Sequence, residues 1–417
     1  MTQIKRTSIT TIFALIGLSF TLYSQTNDLT SSPYSLFGLG VESNSNVGRA
    51  SGMGFTGISL DANQELNLFN SASFASIPEK KFIFDVGFYT QIENLNNGDE
   101  NELRFVTSFS NLAMAFNANG KYGIGLSLLP ATNVGYSLIG LQSHVEGSSN
   151  ETYSTDITGS GGLNDVRLDY ARPISKNFNL GLRFSYLFGK IEETENALTS
   201  TSLLTLETKN YYSGVKFGLG AQYTFWDKNT IGIVLESPSS LSANRDFKTT
   251  RTTFTAVTVV DETTEERISN FKLPFKFGLG FNTYYKKFLF AFDYKRNFWD
   301  ATNQSDEIGE YVDQNIFSFG AEYTKNATSY RYWNRINFRA GFNYDSGNLE
   351  IDGKGINSKA VSLGIGFPLD QKGSKINFSY NYKKTGSLEG ILIQDHINTI
   401  NINLSLTDFW FEKRKYD

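Results

Sequence analysis

The chain has 417 residues, with 38 Lys and Arg against 42 Asp and Glu, two histidines and no cysteine. The missing cysteines exclude a cysteine-linked lipid anchor, a disulfide framework and thiolate metal or catalytic sites, and the small acidic excess gives nucleic acid no electrostatic footprint. Such a length suggests two or three soluble domains, yet no proline- or serine-rich linker divides it.

The opening "MTQIKRTSITTIFALIGLSFTLYSQTND" carries Lys5 and Arg6, an apolar core from Ile12 to Tyr23, and a cleavage edge at Ser24. This is the layout of a secretory signal peptide over residues 1–24, and its core is too short to cross a bilayer as a helix. Residues 25–80 follow, polar and punctuated by glycine. Among them Gly52, Gly54 and Gly57 have the spacing G-x-G-x-x-G. A dinucleotide loop of that spacing needs a buried strand before it and a helix opening on it. The preceding "SSPYSLFGLGVESNSNVGRA" has no β-branched run, and Ile58 to Phe69 is too short and mixed for a crossover helix. The glycines therefore serve another purpose.

From residue 81 the period is two. In "KFIFDVGFYTQIE", Phe82, Phe84, Val86 and Phe88 share one face, with Asp85, Gly87, Tyr89 and Gln91 opposite. "NFNLGLRFSYLFG", "KKFLFAFDYKRNFWD", "KINFSYNYKK" and "NTININLSLTDFWFEK" repeat the pattern. Alternation of this kind marks strands. The segments are longer than the five or six residues usual in soluble sheets. Their second face holds Gly, Asn, Ser and scattered charges, as in a barrel that is greasy outside and polar inside. Aromatic clusters such as "YTFWDKN" and "DFWFEKRKY" stand where a membrane–water girdle places them.

The expected fold is all-β: a transmembrane antiparallel β-barrel of about 14 strands over residues 81–417, entered by an N-terminal lumenal segment over residues 25–80. Short turns such as "NANGK", "PISKN", "YYKK" and "KNATSYR" alternate with long loops, among them Gln142 to Gly162, Ile191 to Asn210 and Pro238 to Ser269. That alternation puts both termini in the periplasm and the long loops outside.

The chemistry inventory is thin. His144 and His396 have no neighbouring ligand pattern, so no metal site is expected. No serine sits on a nucleophile elbow, which argues against an enzyme, and no cofactor is expected. Acidic clusters such as Asp261–Glu262–Glu265–Glu266 read as solvated loops, without the ordered spacing of a calcium loop. Pro130, in "LSLLPATNVGY", cannot donate to a ladder and should break the third strand or mark its exposed end. By pleat parity Arg167, Arg183, Lys295 and Arg339 face inward. There they can hold a carboxylate head group or pair structurally with Asp85, Asp169 or Asp293.

The stretch "GLGVESNSNVGRASGMGFTGISLDANQELNLFNSASFASI" resembles the hatch of FadL-type outer-membrane transporters, TodX among them. In that family a segment rich in small residues ends in Asn-Pro-Ala just before the first of fourteen strands. Here Gly48, Arg49, Ala50, Gly52, Gly54, Gly57 and Ala62 match the hatch pattern. Asn70, Ser71 and Ala72 occupy the motif, with Ser71 where the family has proline. "FKLPFKFGLGFNTYYKKFLFAFDYKRNFWD" is similar to the family's late hairpin, with Leu273, Pro274, Gly278, Asp293 and Trp299 in order. The resemblance implies the outer membrane of a Gram-negative bacterium as the location. It implies passive uptake of long-chain fatty acids or aromatic hydrocarbons by hatch-gated lateral diffusion, with a kink in the third strand as the side passage. Membrane lipids and a hydrophobic small molecule are then the partners. PorV-like relatives imply the alternative, an accessory barrel of an outer-membrane secretion or assembly complex with a protein partner. A generic porin is disfavoured because residues 25–80 should plug the lumen.

Overall fold

The computed structural model describes residues 30–410 apart from 31, 44–47, 99–100, 145–151, 200, 227, 307–308 and 391. The expected signal peptide, residues 1–24, lies outside the described residues. Fourteen antiparallel staves close into a barrel. They are β1 (Lys81–Asn96), β2 (Asn101–Asn117), β3 (Gly123–His144), β4 (Thr152–Ser175), β5 (Phe178–Leu198) and β6 (Ser202–Phe225). Next come β7 (Asn229–Glu236, continuing as Ser239–Thr253) and β8 (Val257–Leu273, continuing as Lys276–Tyr285). The wall is completed by β9 (Phe288–Asn297), β10 (Gln314–Thr324), β11 (Asn337–Asp345), β12 (Ser358–Pro368), β13 (Lys375–Thr385) and β14 (Gln394–Phe409). Each stave pairs with its sequence neighbour, and β1 pairs with β14 from Lys81–Phe409 to Asn96–Gln394, so the sheet has no outer edge at the seam of closure.

The two faces are those the alternation dictates. Along β13, Lys375, Asn377, Ser379 and Asn381 are buried, while Phe378 and Tyr380 point outward and are exposed. Exposed Leu182, Phe184, Leu219, Phe281, Phe292, Phe319, Leu363 and Ile402 extend this apolar belt round the wall. Such a surface suits lipid, and in water it would be a far larger apolar patch than a monomer tolerates. Aromatic pairs ring the short-turn end, with Phe82 stacked on Trp410 at 4.1 Å and Phe288 against Tyr323 at 4.9 Å.

Three expected long loops are ladders instead. Strand β3 runs to His144 and β4 starts at Thr152, β5 reaches Leu198 before β6 starts at Ser202, and β7 pairs with β8 out to Thr252–Val257. Sequences such as "TTRTTFTAVTVV" are β-branched and favour strands. Above the membrane both faces meet water, so the apolar–polar alternation that flags a strand disappears. The staves β4 to β8 thus rise together as one sheet. Its step out of the barrel wall is marked by two prolines facing across the pair. Pro238 interrupts β7 between Glu236 and Ser239, and Pro274 interrupts β8 between Leu273 and Lys276. Each proline removes a ladder donor. The turn expected at "KNATSYR" is longer than read, spanning 325–336 with a 3-10 turn at Tyr332–Asn334.

A small three-stranded sheet, Gly309–Tyr311, Leu349–Ile351 and Lys354–Gly355, lies among the long connections. Leu349 and Ile351 of that sheet, with Ile356 beside it, pack on Tyr34, Phe37 and Leu392 in one buried cluster. The start of the N-terminal segment therefore meets the outer loops.

Candidate functional site

From Gly48 to Ile77 the segment contacts inward faces all round the wall, and glycine is what permits the approach. A Cβ on Gly341 of β11 would sit 2.1 Å from the Gly54 nitrogen, and one on Gly364 of β12 would sit 2.8 Å from the Gly52 Cα. Gly54 has φ +64°, a left-handed conformation that only glycine adopts freely. Gly57 and Ile58 donate their N–H groups to one oxygen of Asp293 on β9, at 2.7 and 3.0 Å. The G-x-G-x-x-G spacing is thus a run of close backbone contacts with β9, β11 and β12.

Asn70 caps the 3-10 turn Ser71–Ser76 by accepting from the Ala72 N–H at 2.9 Å. Its amide donates to the Ile58 carbonyl at 2.8 Å. Gly181 of β5 and Gly220 of β6 admit this turn, since a Cβ at either would meet Asn70, Ser71 or Ala72 atoms within 2.7 Å. Asn70 and Ala72 are fully buried and Ser71 nearly so. With Ser71 in place of proline, the turn is held by side-chain capping and not by a ring.

The four inward cations have different settings. Arg183 donates to Asp169 at 2.8 Å and to the Leu68 carbonyl of the segment at 2.9 Å. Arg167 donates to Asp165 at 2.8 Å. The Lys295 ammonium stands 4.3 Å over the Phe69 ring. These three line the main cavity, of about 420 Å³, which lies between the two parts of the N-terminal segment. Arg339 is elsewhere. It donates to Glu322 at 2.7 Å, Asn377 at 2.6 Å and Glu65 of the segment at 2.9 Å. Lys375 and Arg49 complete that buried network, at 2.9 Å to Glu65 and 2.7 Å to Glu322. Burial alone would raise the pKa of Glu65, but Arg339, then Lys375 and Arg49, hold it well below the usual carboxylate range. Nothing in "DANQELNL" marks Glu65, whose partners Arg339 and Lys375 are 274 and 310 residues away.

The cavity is amphiphilic. Phe37, Val41, Phe55, Ile58, Leu68 and Leu187 supply apolar wall, and the ion pairs Lys276–Glu42 at 2.6 Å and Lys216–Glu236 at 2.9 Å supply charge. Its lining reaches the weakest seam of the wall through Ala131, Thr132 and Asn133. Strands β2 and β3 pair only between Leu112–Phe116 and Ile124–Leu128. Beyond Leu128, β3 pairs with β4 alone along the wall, and among the described residues Asn101–Asn111 of β2 pairs with β1 alone. Pro130 stands at the fork, where the register to β4 shifts between Pro130 and Thr132. The β3 edge freed there is taken up from within. Val41 and Glu42 form a two-residue strand against Asn133 and Thr132, and Ser43 donates to the Ala131 carbonyl at 3.0 Å. Exposed Leu103 and Phe105 flank the gap on β2. Pro130 was legible in the sequence; the short strand Val41–Glu42 had no signal at all.

A family model described as BamG matches residues 3–417. No curated protein matches the sequence. Among solved structures the chain is similar to the toluene transporter TodX of P. putida, with TM-score 0.61 and 15% identity over 89% of this chain and 100% of that one. It is similar to the toluene transporter TbuX of Ralstonia pickettii, with TM-score 0.56 and 14% identity over 87% and 98%. A Pseudomonas aeruginosa FadL homologue gives TM-score 0.57 and 12% identity over 89% and 99%. The FadL/TodX-type resemblance holds in the fold, and the family model that spans the sequence carries another name.

Proposed function

The chain belongs to the BamG family, and from that premise we propose that it is an outer-membrane barrel through which hydrophobic compounds with a polar end pass sideways. Residues 25–80 act as the hatch of this device. The observation that carries the reading is the split between β2 and β3, closed from inside by Val41–Glu42. An open sheet edge is not tolerated against lipid tails, so a gap in the wall needs an occupant. A removable two-residue strand is one. The cavity behind it offers apolar surface for a tail and cations such as Lys295 for a head. That its fold neighbours include toluene transporters supports the same reading.

The test uses a chain that has no cysteine of its own. Val41→Cys with Asn133→Cys places two thiols at directly paired positions, within the Cα separation a disulfide spans. In cells, oxidation should abolish accumulation of a labelled long-chain fatty acid or toluene through this protein, and reduction should restore it. Uptake that ignores the crosslink would overturn the lateral route.

One feature favours a second reading, an accessory barrel in an outer-membrane complex. The raised sheet of β4 to β8 ends in exposed Phe254, Val257, Val259 and Val260, and among the described residues Val257–Leu273 has a ladder partner only in Ser239–Thr253. A protein partner bound at stoichiometry after mild-detergent extraction, and lost when 241–271 is replaced by a short turn, would establish it.

A further inference from the structure

Four short turns follow one another round the rim of the barrel, joining β4 to β5, β6 to β7, β8 to β9 and β10 to β11. Over residues 176–177, 226–228, 286–287 and 325–336 they carry seven Lys and Arg against one acid, Asp227. Lys176, Lys228, Lys286, Lys287, Lys325 and Arg331 are all exposed. Among the described residues none of these six forms an ion pair with a carboxylate, whereas exposed cations toward the long connections do. Lys190 pairs with Glu192 at 2.7 Å, Arg104 with Glu102 at 2.7 Å and Lys354 with Glu389 at 3.3 Å. The rest of the short-turn rim mixes its signs, with Glu79 beside Lys80 and Lys372 paired with Asp408 at 2.7 Å.

The same arc exposes large aromatic rings. Trp226 and Trp333 are 84% and 77% exposed and Tyr330 is wholly so, while the Lys286 ammonium stands 5.2 Å over the Tyr285 ring. Rings with one apolar and one polar end settle at the level of lipid head groups. The arc also borders the belt of exposed Leu219, Phe281, Phe292 and Phe319 on the same staves, which suits lipid tails. Cations gathered without a counter-charge in the chain attract an anion from outside, and phosphate oxygens are strong acceptors for Lys and Arg. A phosphate at this height, above an apolar tail, belongs to a phospholipid.

We propose that the rim from β4 to β11 is a binding surface for anionic phospholipid, a phosphodiester lipid whose head group carries no ammonium of its own. Outer-membrane barrels turn their short connections toward the periplasm, and the leaflet on that side is made of phospholipid. The barrel then gathers such lipids along one flank. The arc leaves out β2 and β3, so the inference stands apart from the lateral passage.

The full mature protein would be reconstituted in phosphatidylcholine vesicles containing brominated phosphatidylglycerol or, at the same mole fraction, brominated phosphatidylcholine. Bromine quenches tryptophan fluorescence at short range, and Trp226 and Trp333 report on the arc. Quenching should show anionic lipid enriched about threefold or more over its bulk fraction, and the enrichment should fall away in about 0.5 M NaCl. The combined variant Lys228→Gln, Lys286→Gln, Lys287→Gln, Lys325→Gln and Arg331→Gln should keep the heat-modifiable migration of a folded barrel and lose the enrichment. Lys80→Gln with Lys121→Gln, elsewhere on the rim, should be quenched as the parent is. Equal quenching of the parent by both lipids would overturn the proposal and leave the arc to an acidic protein face. Unchanged enrichment in the combined variant would overturn it as well. If that variant fails to fold, the salt titration of the parent decides, since enrichment that survives high salt is not electrostatic.

Discussion

The inner part of the N-terminal segment, Gly48 to Ile77, and its outer part, Thr30 to Ser43, lie in one barrel but are held by different physics. The inner part is pinned by buried charges and by backbone packed against backbone. Glu65 sits among Arg339, Lys375 and Asn377, Asp293 collects two N–H groups, and glycines on both sides close the distance. The outer part has a two-residue strand, the Tyr34 hydroxyl on the Ile393 carbonyl at 2.6 Å, and the partly exposed Glu42–Lys276 pair. Breaking a buried ion network strands its remaining charges, whereas opening a short strand costs a few modest hydrogen bonds. The inner part is therefore held by charge and close backbone contact, while the outer part is held by apolar packing of Tyr34, Phe37 and Leu39 and by a short strand, Val41–Glu42, that is its least costly contact to open.

The largest effect should come from Glu65→Ala, which leaves Arg339 and Lys375 without their shared buried carboxylate and costs about 3–5 kcal/mol. Planar-bilayer conductance should rise toward that of an open pore while the barrel remains folded. A conductance equal to the parent's would show that the network does not hold the segment.

Acid should act on the same contact. A carboxyl whose pKa is depressed by folding contributes its full stability above its unfolded value, roughly 4.3 for Glu, and loses it as pH falls below that. Conductance should be flat down to about pH 5 and increase toward about pH 3, and the increase should be absent in Glu65→Ala. An increase that survives in the variant would place the acid-labile contact elsewhere.

Asp293→Asn keeps one acceptor but loses the charge that two N–H groups of the glycine run point at. A cost of about 1.5–3 kcal/mol is expected, read as faster trypsin cleavage at Arg49 in the folded barrel. Equal cleavage rates would remove Asp293 from the anchorage. At the small end, Glu42→Gln weakens a pair that is open to solvent on both sides, so any change in stability should fall below about 1 kcal/mol. Its effect should show in passage and not in unfolding. A thermal shift as large as that of Asp293→Asn would mean that the outer part is anchorage too, and the contrast between the two parts would fail.

Much of the wall was legible in the residues. Alternation over "KFIFDVGFYTQIE" or "KINFSYNYKK" specifies a strand and the face each side chain takes, because the membrane demands apolar residues on one side and the lumen admits polar ones on the other. Inward placement of Arg167, Arg183, Lys295 and Arg339 followed from parity alone. Where that solvent contrast ends, so did the signal. Stretches such as "LETKN" and "TTRTTFTAV" are ladders with water on both faces, and they read as loops.

By itself the sequence determined the class, the strand count and the closure, since each depends on a local period and on the order of short and long connections. Only the tertiary structure decided which inward residues meet. Glu65 finds Arg339 and Lys375 because barrel closure brings β11 and β13 round to the N-terminal segment, and no local pattern encodes that register. The same holds at the fork beside Pro130. The proline marks where β3 can lose a donor, but what fills the gap is Val41–Glu42, far back in the chain. Strand periodicity is written residue by residue, whereas the partner of a buried charge or a freed edge is fixed by the path of the whole chain.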